Sequence, residues 1–502
     1  FNPVRHMRLL ELITGPETNP ESVKLMERFC DRVLGKGVVP CNDTPGFIAN
    51  RLGMFWLQSA VNAAMDLGLT VEEADAVNGR PMGIPKTGVF GLIDLIGLDL
   101  MPLIGQSLLS TLDADDTYRG LYQEPELFKK MIADGYTGRK GKGGYYRVQK
   151  TESGKLFESI NLETGEYGPT APAKSATLDA AGNDLRALCE ATDKIGQFAW
   201  RVLSETLSYA FKLVPDTVAD RTLVDEGMRL GYAWKYGPFE LMDKLGADWI
   251  KRRLEEEGRP VPDFLAKAAG KTFYRIEDGQ REYLELNGSY APVRRPEGAI
   301  FLSDIKLASQ PVEKNGSASL WDVGDGVLCL EFTSKANALD NDIFQMIHKS
   351  VEMIGNGSGQ WKGMVIYNEG RNFSVGANLT QFKADMESEN WAGIETFIKQ
   401  GQKAYNALRF ADFPTVAAPQ GCALGGGCEV TLHCSAVQSY CELAMGLVEV
   451  GVGLIPGWGG CTQMLGRAFA DGEKDGVPPI NRVFQLLLAA KASSSAADAQ
   501  AN

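Results

Sequence analysis

The chain has 502 residues, 44% of them hydrophobic and 23% charged, with a formal net charge of −13. That length exceeds what one hydrophobic core supports, so three or more domains are expected, of ordinary globular composition. The acidic balance argues against a nucleic-acid-binding role; no apolar run is long enough to span a bilayer, and the opening residues do not read as a signal peptide.

In chain order, Leu9-Leu-Glu-Leu-Ile13 predicts a short strand ended by Gly15-Pro16. Ser22 to Leu34 has helical periodicity with Gly35 as its stop, and Val38-Val39 begins another strand. This α/β stretch contains no G-x-G-x-x-G fingerprint. From Asp43-Thr-Pro-Gly-Phe the pattern becomes helical, with Pro45 as a candidate first helical residue and Asn50-Arg51 in the first turns. Helices continue to about residue 135, and the basic Gly138-Arg-Lys-Gly-Lys-Gly-Gly-Tyr-Tyr146 closes the unit, either as a phosphate contact or as a solvated turn. A repeat follows: Gly88, Asp94, Gly97 and Asp99 recur at one constant offset as Gly237, Asp243, Gly246 and Asp248. The second copy has Gln197-Phe-Ala-Trp-Arg201 where the first has Gly46-Phe-Ile-Ala-Asn-Arg51, so it lacks the Asn and is expected to be a packing partner.

Residues 296–317 read as a linker, with Pro296, Pro311 and Asn315-Gly-Ser-Ala-Ser. Beyond it, a strand at Val327–Phe332, a helix at 340–354 and a strand at 363–367 predict an α/β domain. Here lie two glutamates in Gly-rich frames, Gly421-Cys-Ala-Leu-Gly-Gly-Gly-Cys-Glu429 and Met445-Gly-Leu-Val-Glu449-Val-Gly-Val-Gly. Upstream is Asn372-Phe-Ser-Val-Gly-Ala-Asn-Leu379. Paired carboxylates beside Gly-lined turns suit the addition of water to an activated double bond: one orients or deprotonates water, the other handles the second proton, and backbone N–H groups polarise a carbonyl. The bland alternatives are a helix-dipole carboxylate for Glu429 and a loop salt bridge for Glu449. Trp458, in Pro456-Gly-Trp-Gly-Gly460, is bulky for such a turn and either shapes the pocket or sits on the surface. Five clustered cysteines lack a C-x-x-C pair and the chain has three histidines, so no metal is expected and buried thiols are.

On these motifs, residues 318–502 resemble the crotonase (enoyl-CoA hydratase/isomerase) superfamily. Residues 1–300 resemble 3-hydroxyacyl-CoA dehydrogenases that lack most of the nucleotide-binding domain. The order is similar to that of bifunctional bacterial β-oxidation proteins. The resemblance implies a multidomain fold: the end of a Rossmann α/β domain (1–42), a helical dehydrogenase domain (43–150), a degenerate second all-α copy (185–295), the linker, and an α/β crotonase domain (318–502) expected to be incomplete at its C-terminus. It implies an oxyanion hole from the N–H groups of Ala377 and Gly426, and hydration by Glu429 and Glu449. Asn378 stands where many members carry Asp. The dehydrogenase pattern His-Phe-Phe-Asn-Pro begins here at its second Phe, so the catalytic His is expected before Phe1 and is not His6. Glu11 would orient that His, and Asn50 would hydrogen-bond near the substrate carbonyl. Without the resemblance, a buried salt bridge would also account for Glu11. NAD is the implied cofactor of the full-length chain and acyl-CoA the substrate; a thiolase and a second copy of the chain are the implied partners. The implied compartment is the bacterial cytoplasm, or the mitochondrial matrix in a eukaryote. The competing functions are an enoyl-CoA isomerase and a non-catalytic acyl-CoA-binding or assembly subunit.

Overall fold

The computed structural model describes residues 1–152, 154–357, 359–470 and 477–501. They form two units, residues 1–276 with 281–294, and residues 277–280 with 295–502. Among the described residues no single helix is long and apolar enough to cross a membrane.

The first unit opens with strand β1 (Leu9–Thr14), helix α1 (Pro20–Arg32) and strand β2 (Gly37–Asn42), β1 pairing parallel to β2. The Asn19 side chain caps α1 by accepting the Glu21 N–H, and Pro20 sits where no N–H is needed. The next helix, α2 (Ala49–Asp66), does not open at Pro45. Gly46 and Phe47 have φ of 72° and 50°, left-handed values that a helix cannot propagate through, so the chain turns there first.

The repeat is visible in buried carboxylates. Asp75 accepts the Phe90 and Gly91 N–H groups and the Tyr146 hydroxyl; Asp225 accepts the Phe239 and Glu240 N–H groups and the Tyr274 hydroxyl. Asp94 takes the N–H groups of Tyr145 and Tyr146, as Asp243 takes those of Phe273 and Tyr274. A buried carboxylate is costly unless donors surround it, so the Asp94/Asp243 identity ties a helix to the strand that follows it in each half. The halves pack through α2 and the helix Lys194–Ala210, where Phe55 stacks on Tyr209 with ring centroids 4.0 Å apart.

Each half carries more than helices. A three-stranded sheet follows each: Tyr146–Thr151, Gly154–Ile160 and Tyr167–Pro169 in the first, Tyr274–Glu277, Gln280–Leu284 and Tyr290–Pro292 in the second. The first strand of each sheet is largely exposed, so its residues do not mark the edge of a core.

The second unit is built on a six-stranded sheet. In spatial order its strands are Ala436–Val437, Thr415–Ala417, Gly363–Ile366, Val327–Phe332, Ala318–Asp322 and Glu313–Lys314. The first four run parallel and the last two join antiparallel. Asp340 caps the helix Asn341–Gly355 by accepting the Ile343 N–H. The stretch 296–317 is partly ordered into this unit: Leu302–Ala308 is a helix whose Leu302 is buried against Trp321 and Cys329, and Glu313–Lys314 extends the sheet. Burial of Leu302 outweighs the Pro- and Gly-rich composition that suggested a free linker. Near the end, Val477–Ala489 and Ala496–Ala501 are helical.

Candidate active site

Two short parallel strands, Cys422–Leu424 and Ala444–Gly446, bring the Gly-rich frames together. Both strands stop at the same level, where the Gly425 N–H donates to the Gly446 carbonyl at 2.9 Å. Gly425 turns the chain with φ 53°, and a Cβ there would stand 3.2 Å from Glu449 Oε1. Glycine suits the positive φ, and a side chain there would also crowd Glu449. The helix Gly426–His433 starts at once and places Glu429 in its first turn, 1% exposed. Glu449 opens the short 3₁₀ turn Glu449–Val452 after the other strand.

Glu429 is gripped from a third segment. Its Oε1 accepts the Trp458 and Gly460 N–H groups, each at 2.8 Å. The Gly-Trp-Gly-Gly turn is thus a backbone clamp on one carboxylate oxygen, which leaves Oε2 as the oxygen that turn does not hold. Burial pushes the Glu429 carboxyl up to about 7, opposed by the Gly460 N–H and reinforced by the negative charge of Glu449. Burial also raises Glu449, whose Oε2 is buried and accepts no hydrogen bond from any described group. Two neighbouring buried carboxyls of raised pKa disfavour double ionisation. One member can then accept a proton while the other donates.

The candidate oxyanion donors are built beside this pair. Ser374 N–H donates to the Cys422 carbonyl and Leu424 N–H to the Ser374 carbonyl, so this segment runs along the 422–424 strand. Leu339 N–H donates to the Gly376 carbonyl and Asn378 N–H to the Leu339 carbonyl, which fixes Ala377 between them. A Cβ on Gly376 would lie 3.4 Å from the Gly426 nitrogen, so the two segments touch. Neither the Ala377 N–H nor the Gly426 N–H donates to a described group. Ala377, Gly426, Glu429 and Glu449 therefore share one neighbourhood. Asn378 is accounted for differently: its side chain accepts the Thr380 N–H and caps the helix Leu379–Glu387, a position Asn and Asp fill equally well.

Glu11 and Asn50 lie in the first unit. Glu11 Oε1 accepts the Ile48 and Ala49 N–H groups, both at 2.9 Å, so backbone amides at the start of α2 hold this carboxylate where a salt bridge was the alternative. Burial raises its pKa and those two N–H groups oppose the rise. Asn50 is exposed on the same first turn. The basic loop is a tight turn in which Gly138 N–H donates to the Gly143 carbonyl and Arg139 N–H to the Asp94 carbonyl, with Arg139, Lys140 and Lys142 exposed. Among the described residues no group of three or more His, Cys, Asp or Glu side chains is placed to hold a metal ion.

One contributor, Tyr405, had no sequence signal, and another, Trp458, was open between pocket and surface. Tyr405, fully buried, donates its hydroxyl to the Gly426 carbonyl at 2.9 Å. Trp458, 5% exposed, covers Gly426 with its ring while its N–H holds Glu429, so it is not a surface turn.

Three family models match the chain. "3-hydroxyacyl-CoA dehydrogenase, NAD binding domain" matches residues 1–44; "3-hydroxyacyl-CoA dehydrogenase, C-terminal domain" matches 46–148 and again 196–285; "Enoyl-CoA hydratase/isomerase" matches 323–473. A probable 3-hydroxyacyl-CoA dehydrogenase of Bacillus subtilis (strain 168) is 35% identical over 512 aligned residues, covering 100% of this chain and 63% of the relative. A putative fatty acid oxidation complex trifunctional enzyme of Rickettsia prowazekii is 35% identical over 471 residues, covering 93% of this chain and 61% of the relative. The chain thus spans less than two-thirds of either relative. A crystal structure of enoyl-CoA hydratase from Bacillus anthracis aligns at 23% identity and TM-score 0.32, over 37% of this chain and 67% of that one.

Proposed function

We propose that this chain, which carries segments of the 3-hydroxyacyl-CoA dehydrogenase and enoyl-CoA hydratase/isomerase families in one polypeptide, belongs to a fatty acid oxidation enzyme that hydrates trans-2-enoyl-CoA to 3-hydroxyacyl-CoA. The full-length protein then oxidises that product to 3-oxoacyl-CoA with NAD. The observation that carries the reading is the Glu429–Glu449 pair beside two N–H groups that have no acceptor among the described residues. In this mechanism the thioester oxygen takes hydrogen bonds from Ala377 and Gly426, which draws electron density from the 2,3 double bond. The ionised member of the pair takes a proton from water as its oxygen bonds to C3. The protonated member delivers a proton to C2. Having both carboxyls favours hydration over double-bond migration, which can run on one.

The proposed division is the end of a nucleotide-binding domain at 1–42, helical copies at 43–150 and 185–295, and the hydratase domain at 318–502. NAD is the electron acceptor implied by the matched nucleotide-binding segment. The turn between β1 and α1, Gly-Pro-Glu-Thr-Asn over residues 15–19, does not fit a dinucleotide phosphate, so no hydride step is assigned to residues of this chain. Glu11 is proposed to orient the dehydrogenase base and Asn50 to hydrogen-bond near the substrate carbonyl. A thiolase and a second copy of the chain are the proposed partners, and the bacterial cytoplasm the proposed location. The test uses protein from its natural source, given trans-2-enoyl-CoA and NAD together. Loss of enoyl absorbance with formation of NADH supports both activities; loss without NADH confines the reading to hydration; no change in either signal refutes it.

A further inference from the structure

Trp458 is set into the second unit in a way that a turn residue does not need. Its indole lies between two glycines. A Cβ on Gly401, in the helix Trp391–Arg409, would stand 2.4 Å from its Nε1, and a Cβ on Gly426 would stand 2.3 Å from its Cζ3. No heavy atoms approach that closely, so the slot exists only because both positions lack a side chain. Three aromatic rings wall it nearly edge-on: Phe344 at 5.0 Å, Phe397 at 5.3 Å and Tyr405 at 5.7 Å between centroids. Such packing holds the indole in one orientation.

The indole therefore touches Gly426, the candidate donor to the thioester oxygen, while the same residue's N–H holds Glu429, the candidate proton carrier for C2 and C3. Trp458 thus borders both of the groups that the reacting part of a substrate would span. Phe397, packed on Trp458, also lines a groove of about 490 Å³ bounded by Asn341, Phe382, Asn390, Ile394 and Thr396. Phe397 is thus the side chain that both packs on the indole and lines the groove.

We infer that Trp458 is the specificity-determining residue for acyl length: its indole stops the acyl chain shortly beyond C3 and confines the site to short-chain enoyl thioesters. This rests on the hydratase reading above. Removing the indole would join the site to the space beside Phe397 and admit several more methylenes. One methylene in an apolar pocket changes specificity by about 10-fold or more.

The experiment compares kcat/KM for trans-2-butenoyl-CoA and trans-2-decenoyl-CoA in the wild-type chain and in Trp458→Ala, which keeps the backbone N–H that holds Glu429. Wild type is expected to favour the butenoyl substrate, and the decenoyl-to-butenoyl ratio to rise by about tenfold or more in the variant. A folded variant whose ratio stays where it was overturns the inference. Should the alanine variant not fold, Trp458→Leu reads the same ratio with a smaller expected rise, and an unchanged ratio again overturns it. If wild type hydrates neither substrate, the hydratase reading fails. The ratio of affinities for the saturated butyryl- and decanoyl-CoA, in wild type and variant, then decides acyl length without turnover, a shift toward decanoyl supporting the role of Trp458 and no shift overturning it.

Discussion

Replacing Glu429 with Gln removes one titrating group while leaving its anchor in place. A Gln carbonyl oxygen has two lone pairs, enough for the Trp458 and Gly460 N–H groups that now reach Oε1 at 2.8 Å each. The fold should survive, and the proton carrier should not. General acid–base groups contribute about 10²–10⁴ in rate, so kcat for trans-2-butenoyl-CoA is expected to fall by that factor, or about 3–5 kcal/mol of barrier. Stability should move the other way with pH. The folded carboxyl is raised from 4.5 to about 7, chiefly by burial. A raised carboxyl contributes stability that is fully present below pH 4.5 and is lost as pH rises through 7. The amide loses nothing over that range. Relative to wild type, Glu429→Gln should therefore gain stability between pH 5 and pH 8, with an upper bound of about 3 kcal/mol. Urea denaturation at both pH values measures this, and initial rates of enoyl loss measure kcat. A variant within about tenfold of wild-type kcat would refute the acid–base assignment and leave Glu449 working alone, as in an isomerase.

Gly426→Ala places a Cβ 2.3 Å from the Trp458 ring. It should lower kcat by about 10²–10³ and destabilise by about 1–3 kcal/mol; thermal unfolding and initial rates read the two effects. Glu11→Ala leaves the Ile48 and Ala49 N–H groups without their acceptor. It should cost about 1–2 kcal/mol, seen as faster hydrogen exchange in the first turn of α2, and unchanged exchange would contradict the capping role. Tyr146→Phe and Tyr274→Phe each remove one hydroxyl from an equivalent buried carboxylate, Asp75 or Asp225. Each should destabilise by about 1–3 kcal/mol in urea, and a large effect in only one half would argue against equivalence of the two networks.

Some of this was legible in sequence because it depends on neighbours along the chain. The strand at Val327–Phe332, the helix placed at 340–354 and the Gly-framed Glu429 and Glu449 are local patterns. What escaped depends on remote residues. The helix expected from Pro45 begins at Ala49 because Gly46 and Phe47 are left-handed, and nothing local demands that of Phe47. Trp458 was undecided between pocket and surface, since its burial is set by Gly401 and Gly426. The sheets after each helical half were missed because Val148, Gln149 and Lys150 face solvent. The ordering of 296–317 rests on the burial of Leu302 against Trp321 and Cys329, residues remote in sequence.

The most direct test of the central claim mixes the 502-residue chain with trans-2-butenoyl-CoA in ¹⁸O-labelled water. The Glu429–Glu449 account predicts loss of the conjugated enoyl absorbance and a 3-hydroxybutyryl-CoA product that carries the label at its hydroxyl, with both signals suppressed in Glu429→Gln. No loss of absorbance, or migration of the double bond without label, would contradict it.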